Sequence, residues 1–322
     1  MSTSYRRPAL AALGALSVAA GLAACGSSSA NSSSGSTSSA QVANAAAAGG
    51  GSAACPNGKV RLGVEPYEAP AKLTPAYQVL AAALQKGLGC PVEVQIVQDY
   101  PAEVLAMRNG KLELAEFGPL GYVFGDQQAK AEAVASFATA DGKLSTYTAG
   151  IWVPKGSSVQ SLTDLKGHTL ALSSAGSTSG DALPRYAMLK AGLSPSDVKI
   201  TYAGGHPQSL LALTKGKVDA GEVNSQEQAT ATQAGQFDAS KYREIWRSDP
   251  IPNDPITVYG GLPQAFKDKV KQVLTSLSPQ DIAAVGKYLD VTPPGPMVAV
   301  TKADYQQLFD LASALHLTIK DA

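Results

Sequence analysis

Charge is scarce in this chain. Only 16% of its 322 residues are Asp, Glu, Lys or Arg, and 26 acids balance 26 bases to a formal net charge of zero. The bases are scattered among the acids and form no stripe interleaved with aromatics, which argues against a nucleic-acid partner. Histidine is rarer still: His168, His206 and His316 are the full set. No two of them stand at ligand spacing, so neither a metal site nor a cofactor is expected. Nucleophile chemistry is also missing. The run Gly176-Ser177-Thr178-Ser179-Gly180 is not a G-x-S-x-G elbow and has no histidine pattern beside it, so the chain does not read as an enzyme.

What is present begins with a targeting segment. Arg6 and Arg7 precede the uncharged stretch PALAALGALSVAAGLAAC, which has the length of a secretory h-region plus cleavage site. It is too short and too rich in Ala and Gly to favour a permanent membrane span. It ends in Leu22-Ala23-Ala24-Cys25-Gly26, which resembles the lipobox of bacterial lipoproteins. The resemblance implies a signal peptide over residues 1–24, cut before Cys25, whose thiol then carries a lipid. The protein would be exported and anchored to the outer face of the bacterial cytoplasmic membrane. An ordinary secretory signal with an incidental cysteine is the alternative. Residues 25–54 follow as a Ser-, Ala- and Gly-rich stretch with no charge, too poor in large apolar side chains to fold and suited to a flexible tether.

With Cys25 lipidated, Cys55 and Cys90 remain as a pair in an exported protein, where disulfides persist. Each lies just upstream of a strand-like stretch, KVRLGVEP and VEVQIVQ. If those strands are parallel neighbours, their starts come close enough to bridge. Two free thiols are the alternative.

From Cys55 onward the chain alternates strand-like and helix-like stretches: strands at 60–66, 92–98 and 112–119, helices at 75–89 and 101–111. A second block repeats the rhythm with TLALSS, then ALPRYAMLKAGLS, then VKITYAG, then PQSLLALTKGKVD. Such βα alternation implies mostly parallel sheets with crossover helices, an α/β class with two lobes. Residues 55–148 with 256–322 are assigned to lobe 1 and residues 149–255 to lobe 2, with two hinge crossings between them. The 243–263 segment holds Pro250, Pro252, Pro255 and Pro263 and reads as a crossing or a loop, not a central strand. From Gln264 the chain reads as helices.

One loop concentrates small polar groups. In SSAGSTSGDALPRYAMLK (173–190), hydroxyl and glycine residues sit between a strand and a helix. Capping explains one hydroxyl. A run of three, Ser177, Thr178 and Ser179, with backbone N–H groups and the positive end of a helix, suits a tetrahedral oxyanion without an arginine or lysine in the motif.

DYPAEVLAMRNGKLELAEFGPLGYV (99–123), GSTSG (176–180) and SDPIPNDPITV (248–258) resemble, in order and spacing, the phosphate, phosphite and phosphonate substrate-binding proteins of ABC importers. The resemblance spans essentially the whole of the chain after the linker. It implies the two-lobed periplasmic-binding-protein-like fold, type II, with the ligand cleft between lobes. By carry-over, Ser177, Thr178 and Ser179 hold a small phosphorus oxyanion, Tyr100 and Tyr122 line the cleft, and Asp254 reaches in from the return crossing. Asp254 would accept a hydrogen bond from a P–OH group or pair with a ligand ammonium, and would penalise an oxyanion that brings no proton. The implied partners are an ABC permease and the membrane through the lipid anchor, with the protein a monomer.

The chain departs from the family pattern in two places. Gly176 stands where the family commonly has Asn, and Gln226 rather than Glu227 falls where aminoalkylphosphonate binders carry a second acid. The register there is open by a residue or two. His206, at another strand-to-helix connection, is a further candidate for the cleft. His168 reads as a surface turn residue, and Trp152 and Trp246 as hinge packing. Tyr147 and Tyr202 could border the cleft, but nothing in the sequence separates them from core or surface tyrosines. Two other functions fit the same lobes: a tethered sensor presenting a solute to a signalling receptor, or a binder of an unrelated small anion.

Overall fold

The computed structural model describes residues 55–321; the signal peptide, Cys25 and the linker lie outside the described residues. The first elements are β1 (Val60–Val64), α1 (Pro70–Leu88), β2 (Val92–Ile96), α2 (Tyr100–Arg108), β3 (Leu114–Glu116), α3 (Pro119–Ala129) and β4 (Glu132–Ser136). A crossing follows through β5 (Thr146–Tyr147). The middle of the chain forms β6 (Gly150–Pro154), β7 (Thr169–Leu172), α4 (Leu183–Lys190), β8 (Lys199–Tyr202), α5 (His206–Thr214), β9 (Ala220–Glu222), α6 (Ser225–Gln233) and β10 (Tyr242–Arg247). The return runs through β11 (Ile251–Pro252) and β12 (Pro255–Val258) to α7 (Gln264–Thr275), α8 (Pro279–Gly286), β13 (Val298–Ala299) and α9 (Gln306–Ala314).

These strands form two main sheets, and the arrangement is the two-lobed type II binding-protein fold. The first sheet has the order β13-β4-β12-β3-β1-β2, and the second β10-β6-β9-β7-β8. Each sheet has a parallel half, β2-β1-β3 or β8-β7-β9. Each has an antiparallel half where the crossing strands join. The short β5–β11 pair lies where the chain passes between the sheets.

Alternation along β1 divides the first lobe's interior. Val60, Leu62 and Val64 pack with Leu73, Tyr77, Leu80 and Leu84 of α1 and with Phe266 and Val270 of α7. The α1 residues recur at helical spacing, and each fully buried large apolar side chain contributes about 1.5–3 kcal/mol. The other face carries α2, α3 and α9, through Val104, Met107, Val123 and Leu308. In the second lobe, α4 packs against one face of the sheet through Met188. Leu210 and Leu213 of α5 share the other face with Trp152 and Phe237.

Three features differ from the sequence reading. α1 begins at Pro70, not Pro75: Pro70 occupies the first turn, where its missing N–H costs nothing, and Pro75 is absorbed inside the helix. The strand expected over 112–119 stops at Glu116, because Gly118 is the N-cap of α3 and Pro119 opens its first turn. The proline-rich return includes a central strand after all. β12 lies between β3 and β4 because Pro255 stands at the strand's first position and residues 256–258 carry no proline.

Cys55 and Cys90 form a disulfide with Cα atoms 5.8 Å apart. It sits where β1 and β2 start side by side, Val60 opposite Val92. The bridge closes a loop with a sequence separation of 35, so replacing both cysteines with serine should lower unfolding stability by about 2–4 kcal/mol. Denaturant titration of the double variant checks this; an unchanged midpoint would assign the bridge no stabilising part.

Candidate functional site

β7 ends at Leu172 and delivers the chain to the hydroxyl loop at the carboxyl edge of the second sheet, where open α/β sheets place ligands. The loop turns at Gly176, whose φ of 83° lies in the left-handed region glycine adopts without strain. Thr178–Ala182 then forms a single π-helical turn leading into α4. Asp181 holds this shape and has no solvent exposure. It accepts from the Gly176 N–H at 3.0 Å and the Tyr202 hydroxyl at 2.7 Å. It also pairs with the Arg185 guanidinium at 2.6 Å.

The three hydroxyls are buried and have separate partners. Ser177 Oγ accepts from the Gly180 N–H at 3.1 Å and lies 3.4 Å from His206 Nε2. Thr178 Oγ1 accepts from the Leu120 N–H at 2.9 Å, a bond from lobe 1 at the start of α3 to lobe 2. Ser179 Oγ accepts from Asn224 Nδ2 at 3.1 Å. Asn224 in turn caps α6, its Oδ1 accepting from the Glu227 N–H at 2.7 Å. Two tyrosines approach the cluster: Tyr100 is within hydrogen-bonding reach of Ser177, and Tyr147 of Ser179 and Thr178. Burial, then the charges of Glu65 and Asp254, pushes both phenols well above their usual range, so both remain O–H donors.

His206 starts α5 and places its ring between the hydroxyl loop and Glu222. Burial lowers its affinity for the proton, but the Glu222 carboxylate, accepting from Nδ1 at 2.9 Å, outweighs this and the net shift is upward. With Nδ1–H fixed on Glu222, Nε2 is directed toward Ser177. Glu227, also buried, is pushed up to about 7 by burial, opposed by His206. Beyond His206 a cavity of about 20 Å³ lies between Tyr67, Glu68 and Tyr288 on one side and Gln226 and Glu227 on the other. It has room for about one water.

The first sheet carries a wall of acids at one edge. Glu65 follows β1, Glu116 ends β3 and Asp254 precedes β12, three neighbouring strands. All three are buried, with Glu103 of α2 behind them. Asp254 is pushed upward by burial, against the pull of His206.

The profile of the family described as "ABC transporter, phosphonate, periplasmic substrate-binding protein" matches residues 62–305. The chain belongs to that family. It is 28% identical over 216 residues to the phosphonates-binding periplasmic protein of Escherichia coli K12; the match covers 66% of this chain and 64% of that relative's length. It is 28% identical over 223 residues to the phosphate-import protein PhnD of Mycolicibacterium smegmatis, covering 66% and 70% of the two chains. The structure of PhnD1 from Prochlorococcus marinus in complex with methylphosphonate shares the fold. The TM-score is 0.70 at 20% identity, over 80% of this chain and 98% of that one.

In this family member Ser177, Thr178, Ser179, Tyr100, His206 and Asp254 come together at one cleft. Tyr122 does not join them. Because α3 begins at Pro119, Tyr122 lies within the helix and faces inward, its ring edge-on to Tyr305 and Phe309. Gln226 donates to Asn253 Oδ1 and to the Leu289 carbonyl, each at 3.2 Å. Trp152 packs in the second lobe against Phe237, and His168 pairs with Asp219 at the surface.

Sequence reasoning named Asp254 and left Tyr147 open, but passed over Asn224, Glu222 and the glutamates of the acid wall. Tyr147 had a signal in its place beside the first crossing, and Glu65 in its place at the carboxyl end of a strand. Glu116 and Glu222 had none, since glutamate is ordinarily a surface residue.

Gly180 gives this loop its close fit. A methyl group there would lie 2.7 Å from Ser173 Cβ and 2.9 Å from His206 Cε1. Gly180→Ala should therefore destabilise the protein by about 1–3 kcal/mol through overpacking, read as a lower thermal midpoint. An unshifted midpoint would show that Ser173 and His206 yield freely.

Proposed function

We propose that the protein is an extracytoplasmic solute-binding lipoprotein that captures a small phosphorus oxyanion and delivers it to an ABC permease. The ligand is phosphite, phosphate or a small phosphonate. One observation carries the reading: three buried hydroxyls, each on a separate partner, converge with the His206–Glu222 pair opposite a second lobe. The hydroxyl donors meet the oxygens, His206, its proton affinity raised by Glu222, adds a donor or positive charge, and Tyr100 and Tyr147 close over the cluster. Family membership and relatives named for phosphonate binding and phosphate import support the ligand class.

Residues 55–148 with 256–322 move as one lobe and residues 149–255 as the other, hinged at the β5–β11 crossing. Ligand contacts to both lobes favour the shut state. Its task is capture and delivery without catalysis, a role that membership of a family of transport binding proteins supports. Cys25 carries the lipid, and the monomeric receptor works at the outer face of the cytoplasmic membrane.

Calorimetric titration with phosphate, phosphite, methylphosphonate and 2-aminoethylphosphonate tests the ligand class. At least one of the four should bind. Ser177→Ala and Thr178→Ala should each weaken that binding by about 1–3 kcal/mol, about 5- to 150-fold. No heat from any of the four would refute the reading. For the anchor, Cys25→Ser should move the protein from the membrane fraction to the medium or periplasm on fractionation; retention of the variant at the membrane would count against lipidation.

A further inference from the structure

The acids at the edge of the first sheet form a built surface, not a scatter. Glu65, Glu116 and Asp254 stand at one end of adjacent strands, the register placing Val64 and Ile256 on either side of Glu116. Glu103 lies against Gly63, on the face of β1 that packs on α2. None of the four is more than 5% exposed. Among the described residues, Glu65 Oε2, Glu116 Oε1, Asp254 Oδ1 and both oxygens of Glu103 have no hydrogen-bond partner.

The contacts these acids do make are with neutral groups. The Gly118 N–H donates to Glu65, and the Tyr77 hydroxyl donates to Glu116. Tyr67, following β1, donates to or accepts from Tyr77 at 3.0 Å. Among charged groups the four act on one another, and His206 acts on Asp254 from α5. Glu222 and Glu227, on β9 and α6, add negative charge beside His206.

Four ionised carboxylates cannot share such a volume without a cation for each. Burial, reinforced by their mutual repulsion, accordingly raises Glu65, Glu103 and Glu116 well above the carboxylate range. In an open, water-filled cleft the outer pair, Glu65 and Asp254, would titrate as ordinary carboxyls.

We propose that Glu65 and Asp254 couple ligand capture to proton uptake: when the lobes shut, both face the oxyanion as neutral carboxylic acids and donate O–H groups to oxygens that the lobe-2 hydroxyls leave free. This rests on the oxyanion reading above and adds Glu65 to the specificity-determining residues. Glu103 and Glu116 lie behind the pair and keep it from ionising. The ligand class narrows to small oxyanions that accept hydrogen bonds on two sides; a cationic ligand would drive the same acids to release protons.

The sign follows from linkage: a complex holding more protons than its free parts weakens as pH rises, by about tenfold per pH unit for each proton taken up. The test is calorimetry of the full chain with methylphosphonate between about pH 5 and 8, in two buffers of different ionisation heat. Wild type, Glu65→Gln and Asp254→Asn are compared, so that the ligand's own titration is common to all. Each variant should take up about one proton fewer than wild type, show a correspondingly shallower slope, and bind more tightly than wild type at the alkaline end. Equal slopes in all three proteins, or proton release by wild type, would overturn the coupling while leaving the oxyanion reading in place. If one variant fails to fold, the other still gives the difference. If both fail, the wild-type proton count, corrected by titration of methylphosphonate alone, decides: a corrected uptake of zero refutes the proposal. Failure of phosphate, phosphite and methylphosphonate to bind at every pH would remove both readings.

Discussion

A carboxylate with no access to water has to be met by donors, and Asp181 satisfies that demand in a way that shapes the binding loop. Its three donors come from three directions: the Gly176 N–H within the loop, the Tyr202 hydroxyl on the neighbouring strand, and Arg185 one turn along the following helix. The π turn follows, and with it the separation of the three hydroxyls onto three partners. Asp181 touches no ligand-facing group itself. It makes the loop rigid enough for uncharged hydroxyls to hold fixed positions, which an oxyanion site requires more than it requires charge.

The architecture was largely legible because it rests on periodicity. Val60, Leu62 and Val64 alternate, Leu73, Tyr77, Leu80 and Leu84 recur at helical spacing, and both patterns survive intact in the fold. The disulfide followed from the same reading, since parallel strands that start together bring Cys55 and Cys90 together. Prolines misled it. Pro119 closes the strand read over 112–119 yet opens α3, and this turns Tyr122 from a cleft residue into a core one. Pro255 argues against a central strand until its place at the strand's first residue is known.

The site was half legible. Ser177, Thr178 and Ser179 are neighbours in the chain, so a motif reveals them. Glu65, Glu103, Glu116 and Asp254 come from four separated segments and meet only through the order of strands in the first sheet. A net charge of zero hides this sorting. The bases that balance these acids lie elsewhere, Arg61 on Glu113 at the strand's far end and Lys72 on Glu68 at the rim. His206 and Glu222 meet only in the folded lobe, so no local motif announces that pair.

The bond from the Leu120 N–H to Thr178 Oγ1 joins the lobes at the atom that, on the proposed function, is offered to the cargo. A hydroxyl oxygen accepts through its lone pairs while its own hydrogen points elsewhere. One side chain therefore serves as latch and as grip simultaneously. Prising the halves apart strips a contact from the passenger in the same stroke, so a transporter that only tugs on the outer surface would also loosen the hold inside.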